Sequence, residues 1–477
     1  MTAQAANFAF RIGSLMVMAR LLGPTDFGLV GMVTAFTGVL NLFRDFGLST
    51  ATVQRENVTD DQISTLFWVN AAVGLLLAVF VLICAPLVVR IYHEPRLLGI
   101  TVVISFAFLF NALGVQHSAL LQRQLRFTAL AIINVIALLA STVIAITIVE
   151  LGFGYWGLVV MTVTLPFVTT VGVWIAAAWI PGRPRRGAGV RSLIRFGGTL
   201  TLNGLVMYVA YNMEKVLLGR FWGAEAIGLY GRAYQLVNVP TDNLNSSVGE
   251  VAFSALARVQ NDPPRLRNYF LKGYSLVLSM TIPITIMGAF FAEDLIRIML
   301  GPKWNAAVPI FRLLAPTILI LAMINPLSWL MFSLGLVEKS LKIALVLAPI
   351  VMVGYLCGLH YGPKGVALGY STVLVLWVIP HVAWSVHGTP VSLRDILVTI
   401  RQPLVSGMVA AVIALAVHHL CVPFMSALPR ILIEGSALMA IYVFMLFYVM
   451  GQKEFYMGLL RGFRKRSPME EEVLVPV

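Results

Sequence analysis

The chain has 477 residues, of which 59% are hydrophobic and only 12% charged, with a net charge of +13 at pH 7. A soluble protein carries about a quarter charged residues, so this composition belongs to the membrane class and sets soluble enzymes aside. The positive charge does not point to nucleic acid: it sits in short segments between apolar runs, where it orients helices in a bilayer, and no basic stripe interleaves with aromatics as base stacking requires.

Runs of about 18–25 apolar residues bounded by charge, Gly or Pro predict about fourteen transmembrane helices. The first six span 4–21, 27–49, 65–89, 98–119, 127–149 and 154–180. The next six span 197–219, 227–250, 269–291, 306–335, 340–360 and 365–386, and a last pair spans 403–422 and 431–450. The expected fold is all-α and polytopic. An N-terminal lobe covers 1–180, a basic linker 181–196, a C-terminal lobe 197–388, an additional helix pair 389–452 and a tail 453–477. The first run begins almost at Met1 and carries Arg11, and no small-residue cleavage site follows it, so no cleavable signal peptide is expected. Its start is abrupt for a first membrane helix, which leaves open whether the natural start lies upstream of Met1.

Two six-helix lobes are expected because a motif recurs. Ala19-Arg-Leu-Leu-Gly-Pro-Thr-Asp-Phe-Gly-Leu-Val-Gly31 returns as Gly219-Arg-Phe-Trp-Gly-Ala-Glu-Ala-Ile-Gly-Leu-Tyr-Gly231. Arg20, Gly23, Gly28, Leu29 and Gly31 match Arg220, Gly223, Gly228, Leu229 and Gly231 without a gap. A weaker pair is Gly152-Phe-Gly-Tyr-Trp-Gly-Leu158 and Gly362-Pro-Lys-Gly-Val-Ala-Leu368. An even helix number per half gives parallel repeats related by an axis along the membrane normal.

The linker holds five arginines and no acid, which makes it cytoplasmic. Counting helices from it puts both termini in the cytoplasm. About 21 of the 34 lysines and arginines then fall inside and about 9 outside, an asymmetry that supports both the helix count and the orientation.

Ionisable groups inside a bilayer are costly and by default functional. Here they concentrate in the first two helices of each half: Arg11, then Arg44 and Asp45, then Glu214 and Lys215, then Arg232 and Asp242, with Asn243 and Asn245 beside Asp242. These helices are expected to enclose a polar cavity between the halves. Arg11, Arg44, Lys215 and Arg232 outnumber Asp45, Glu214 and Asp242, so the cavity suits an anion, which Arg grips as a planar fork and Lys as a point charge. The competing reading is structural. Sequence neighbours such as Glu214 and Lys215 point about 100° apart on a helix, so each is free to pair with another helix and simply hold the halves together. Arg20 and Arg220 have the reach to snorkel to the outer interface.

Other residues carry less. Cys84, Cys357 and Cys421 are scattered and have no metal spacing, and His418-His419 lacks the i,i+4 spacing of a helical metal site. His117 and the tryptophans 68, 156, 174, 179 and 222 read as interfacial, and Glu293-Asp294 as a solvated outer loop. No nucleophile constellation, paired carboxylate set or Walker loop is present. No enzyme, no resident cofactor and no self-powered ATP hydrolysis is therefore expected.

Ala19-Arg-Leu-Leu-Gly-Pro-Thr-Asp-Phe-Gly-Leu, Asp45-Phe-Gly-Leu-Ser, Ser64-Thr-Leu-Phe-Trp, Leu217-Leu-Gly-Arg-Phe-Trp-Gly, Ile227-Gly-Leu-Tyr-Gly-Arg-Ala-Tyr-Gln-Leu and Phe253-Ser-Ala-Leu-Ala-Arg together resemble the polysaccharide and O-antigen translocases, the Wzx-like flippases. These sit in the exporter superfamily that also holds the multidrug and toxin extrusion (MATE) proteins and the lipid II flippases. The resemblance implies movement of an undecaprenyl-diphosphate-linked oligosaccharide across the bacterial inner membrane, by alternating access of two lobes around a cationic cavity. It implies as partners the lipid-linked substrate, membrane lipids, and a polysaccharide polymerase with chain-length proteins. Relatives often carry Asp where this chain has Glu214, and usually a longer first helix. Coupling to a proton or sodium gradient through Asp45, Glu214 or Asp242 stands beside uncoupled flipping. In the same fold, a cation-coupled exporter of small amphipathic compounds is the alternative, though it calls for a more acidic, aromatic cavity. A membrane glycosyltransferase or polymerase calls for clustered acids or a large outer loop, and neither is present.

Overall fold

The computed structural model describes residues 2–41, 59–184, 191–421, 427–454 and 456–458; the side chains of 2–6, 191–207, 209–211, 242–247, 250, 251, 254, 417–421 and 427 lie outside the description. Among the described residues the chain is helical throughout, with no strand. Helices satisfy every backbone group within the segment, which an apolar surrounding demands.

The helices are α1 (Thr2–Leu21), α2 (Pro24–Asn41), α3 (Asp60–Tyr92), α4 (Leu97–Arg123), α5 (Phe127–Ile148), α6 (Trp156–Ala177), α7 (Arg191–Arg258), α8 (Pro263–Phe290), α9 (Ala292–Met299), α10 (Val308–Leu314), α11 (Pro316–Ser333), α12 (Val337–Leu359), α13 (Gly362–Val386), α14 (Leu393–Cys421) and α15 (Ala427–Phe444). Their ends follow local chemistry. Thr59 caps α3 in a reciprocal box with Gln62: the threonine hydroxyl accepts from the Gln62 amide and the glutamine side chain accepts from the Thr59 amide. Asp262 accepts from the Arg265 amide ahead of the prolines that open α8. The predicted run 306–335 is divided into α10 and α11, because Pro316 has no amide proton to continue the ladder.

Among the described residues ten helices, α3 to α6, α8 and α11 to α15, are long and apolar enough to cross a membrane. The other four predicted spans carry the intramembrane charges. They fall on α1, on α2 and on the two arms of α7, while residues 42–58, which hold Arg44 and Asp45, lie outside the described residues. The arms of α7 meet at Gly223, whose φ of 80° and ψ of −172° suit glycine alone.

The chain forms two compact units. The first comprises Met1–Gln235, Ile296–Ile310 and Ala344–Val373, and the second Leu236–Leu295, Phe311–Ile343 and Leu374–Val477. In the first unit α4 packs on α3 and α6, and α5 packs on α6 and α1. Small residues permit the approach: a Cβ on Gly74 would lie 2.2 Å from that of Ala112. In the second unit α8 packs on α11 and α14, and α14 on α15, around Leu266, Phe270, Tyr274, Leu327, Trp329 and Val382.

The expectation of a solvated Glu293-Asp294 loop is corrected within the second unit. Asp294 is 2% exposed and receives a two-pronged bond from Arg430, with Nε 2.7 Å from Oδ2 and Nη2 on Oδ1. Nothing in local sequence shows this, because the partners are 136 residues apart.

Candidate functional site

The two copies of the repeated motif meet inside the first unit, and they meet reciprocally. A Cβ on Gly28 would lie 1.7 Å from the Ala224 carbonyl oxygen, and a Cβ on Gly228 would lie 1.9 Å from the Pro24 carbonyl oxygen. Residues 24 and 28 occupy the same places in the first copy that 224 and 228 occupy in the second. Each copy thus sets its glycine against the other's backbone, a locally two-fold contact that any larger residue would hold apart.

Side chains then fasten the helix ends around this contact. Arg20 donates from Nη2 to the Ile298 carbonyl near the end of α9 (2.8 Å), and Lys303 donates from Nζ to the Leu21 carbonyl that ends α1 (3.0 Å). Cations at helix C-termini are favoured by the unpaired carbonyls and the helix dipole. The Trp304 indole, fully buried, donates to the Ala19 carbonyl (2.8 Å) and meets Phe27 edge-on at 5.4 Å and 67°. In the second copy the Trp222 indole donates to the Leu359 carbonyl ending α12 (2.8 Å). Arg20 is therefore bonded, beyond the expected snorkelling, and Trp222 is more than an interfacial ring.

The predicted site residues in this unit are placed as follows. Arg232 lies on α7 with its guanidinium carbon 4.0 Å from the centre of the Phe27 ring, and its Nη1 donates to Gln235 Oε1. Lys215 donates to Asn212 Oδ1 (2.6 Å). Arg11 is exposed on α1. No carboxylate pairs with Arg11, Lys215 or Arg232 among the described residues, and no bond joins the three to one another. Glu214 is 1% exposed, and neither carboxylate oxygen accepts a hydrogen bond of full geometry among the described residues. As the neighbouring spacing predicts, it does not bond to Lys215. Tyr208, Tyr230 and Tyr355 stand within electrostatic reach of it. Tyr230 stacks on Tyr234, Tyr355 on Tyr370, and Tyr234 meets Tyr370 edge-on, so the carboxylate sits beside an aromatic cluster. Arg44 and Asp45 lie outside the described residues, as do the side chains of Asp242, Asn243 and Asn245 on α7.

A second cluster in the same unit explains the stretch Ser64-Thr-Leu-Phe-Trp68. Ser64 and Trp68, one helical turn apart, both hold Gly182, in the stretch predicted as a linker. The Gly182 amide donates to Ser64 Oγ (3.0 Å), and the Trp68 indole donates to the Gly182 carbonyl (2.8 Å). Phe67 packs against His117, Trp174 and Trp179, and His117 stacks on Trp174 at 4.3 Å. His117 is fully buried rather than interfacial.

Arginine and lysine without acid partners, gathered on the elements that carry the repeat, are suited to an anionic ligand. Known proteins place the chain. A model of the polysaccharide biosynthesis protein family matches residues 17–309. The chain belongs to that family. The lipopolysaccharide biosynthesis protein WzxC of Escherichia coli (strain K12) is 28% identical over 373 residues, covering 76% of this chain and 74% of WzxC. The teichuronic acid biosynthesis protein TuaB of Bacillus subtilis (strain 168) is 30% identical over 287 residues, 59% of each chain. Among solved structures, the lipid II flippase MurJ in an inward closed conformation shares the fold, with a TM-score of 0.75 at 15% identity, covering 94% of this chain and 98% of that one. This member of the family is a multi-pass membrane protein, and the Wzx-like resemblance read from its motifs holds.

Proposed function

We propose that this family member is a flippase that moves undecaprenyl-diphosphate-linked oligosaccharide units across the bacterial inner membrane for exopolysaccharide, capsule or O-antigen synthesis. It is a transporter and not an enzyme. The observation that carries the reading is Arg232, which makes no ion pair among the described residues of a polysaccharide biosynthesis protein, with Lys215, which makes no salt bridge although Glu214 lies within its electrostatic reach. A diphosphate is the anion such a chain has to hold, and guanidinium and ammonium groups are its natural partners.

In this reading the ten apolar helices and the four charged ones make fourteen crossings. Lobes over 1–180 and 197–388 alternate access around the cationic cavity, the linker 181–196 and both termini face the cytoplasm, and the pair within 389–452 is added to the second lobe. Arg11 and Arg44 join Lys215 and Arg232 in holding the diphosphate, with Asn243 and Asn245 as polar residues of the same cavity. Glu214 is the foremost carrier for a coupling proton or sodium ion, ahead of Asp45 and Asp242, because it is buried and its oxygens are unpaired among the described residues. A polysaccharide polymerase and chain-length proteins take the product onward.

The test is complementation of a strain lacking the gene, with wild type, Arg44→Ala, Lys215→Ala and Arg232→Ala compared at matched membrane expression. The null strain is expected to lose polymer and accumulate lipid-linked precursor, and the substitutions to do the same. Unchanged polymer and precursor in a null strain that has no paralogue sink the substrate assignment and favour export of small amphipathic compounds.

A further inference from the structure

We infer that Phe27 is a positioning residue that ties the anion grip of Arg232 to the fastening of the helix ends by Trp304. The inference rests on the flippase reading, in which Arg232 receives the diphosphate. Phe27 is buried between two partners. The Arg232 guanidinium lies over its ring at 4.0 Å, and the Trp304 indole meets it edge-on at 5.4 Å. Trp304 in turn bonds the Ala19 carbonyl, and its neighbour Lys303 bonds the Leu21 carbonyl. Four residues of one compact unit therefore connect a ligand-binding cation to the last turn of α1.

The chemistry gives the connection a direction. A guanidinium is drawn to a ring face by the negative quadrupole there. Gln235, a neutral acceptor, takes one of its donors without reducing its charge. A diphosphate that pairs with Arg232 cancels the charge the ring attracts, and its oxygens are repelled by the same negative face. Phe27 loses that attraction, and the packing that seats Trp304 against Ala19 loosens. Loss of a cation–π contact of this kind shifts an equilibrium by about two- to thirty-fold. By linkage, release of Trp304 favours anion binding by the same factor. Loading of the anion thus favours opening of the end of the molecule that carries the repeated motif.

The experiment uses the full chain in nanodiscs, with Cys84, Cys357 and Cys421 replaced by Ala and with Ala19→Cys as reporter. Ala19 is fully buried behind Trp304, so a charged maleimide reaches position 19 only when the fastening opens. Inorganic diphosphate is the probe, with its binding measured separately by calorimetry. Saturating diphosphate is expected to speed labelling about tenfold. Phe27→Leu, of similar volume, is expected to label fast without diphosphate and to lose the response while still binding it. Phe27→Tyr, which keeps the ring, is expected to restore the response. Trp304→Phe removes the bond to Ala19 and shrinks the ring packed on Phe27; it is expected to raise the basal rate, and an unchanged basal rate overturns the fastening. Diphosphate that binds without changing the labelling rate, or Phe27→Leu responding as the parent does, overturns the coupling and leaves the flippase reading standing. A parent chain that binds no diphosphate overturns both.

Discussion

Replacing Gly28 by Ala tests whether the repeated motif exists to bring two backbones together. The added Cβ would stand 1.7 Å from the Ala224 carbonyl oxygen, with the Ala224 carbonyl carbon at 2.4 Å. Ordinary contact needs about 3.4 Å, so α2 and the start of the second arm of α7 have to part by more than 1 Å. No flexible side chain is there to yield. Overpacking of this kind costs about 1–3 kcal/mol, and a rigid backbone clash belongs at the upper end. Alanine regains about 1 kcal/mol of helix propensity over glycine, which leaves a net loss of about 2 kcal/mol. Gly228→Ala meets the Pro24 carbonyl at 1.9 Å and is expected to cost about the same. The two changes push the same surfaces apart, so the double variant costs less than the sum. Gly231→Ala is the control. Nothing lies within 4 Å of its would-be Cβ, so only the propensity gain of about 1 kcal/mol remains. Thermal unfolding followed by size-exclusion chromatography in one detergent is the assay. Gly28→Ala and Gly228→Ala should lower Tm by several degrees and Gly231→Ala should hold or raise it. A Gly28→Ala protein as stable as the Gly231→Ala protein refutes the reciprocal packing.

Asp294→Ala removes the two-pronged bond of Arg430, only 14% exposed, and is expected to cost about 3 kcal/mol, since Glu434 and Glu293 remain within its electrostatic reach; the same melting assay decides, and an unchanged Tm refutes the pairing. Ser64→Ala and Trp68→Phe each remove one hydrogen bond to Gly182, about 1 kcal/mol apiece. Hydrogen exchange at the Gly182 amide should then speed about fivefold, and an unchanged rate removes the anchoring role. Glu214→Gln keeps the shape of a side chain that has no bonded partner among the described residues, so folding is expected to survive. Flipping in inverted vesicles should lose its dependence on an imposed proton or sodium gradient, and a dependence that persists rules Glu214 out as the carrier.

Much of the fold was legible because apolar runs of spanning length have few alternatives, and ten of them are helices where the hydropathy places them. The other four predicted runs fall on helices α1, α2 and the two arms of α7, whose charge sets them apart from those ten. Boundaries were less visible. The division at Pro316 and the break at Gly223 each rest on one residue inside a longer helical run, and hydropathy alone does not mark which proline or glycine interrupts it. The candidate cations were legible as residue types, but not their surroundings. Phe27 under Arg232 and Trp304 on Ala19 come together from distant parts of the chain, the latter across 285 residues, and no periodicity records such a meeting.

The repeat itself separates what closes this molecule from what gives it a ligand. Positions that match between the copies, Gly28 with Gly228 and Gly23 with Gly223, make backbone contacts and breaks that serve both halves alike. Positions that fail to match are where the chemistry is one-sided. Phe27 corresponds to Ile227, and Arg232 to Met32, so the second copy supplies the cation and the first supplies the ring it rests on. Ile227 instead packs against Gly31, and Met32 is buried. A symmetric contact has no preferred side on which to hold one diphosphate. Under the proposed flippase reading, a single cation set against a single ring, with its counterpart position apolar, is that side, and the symmetric closure is left intact.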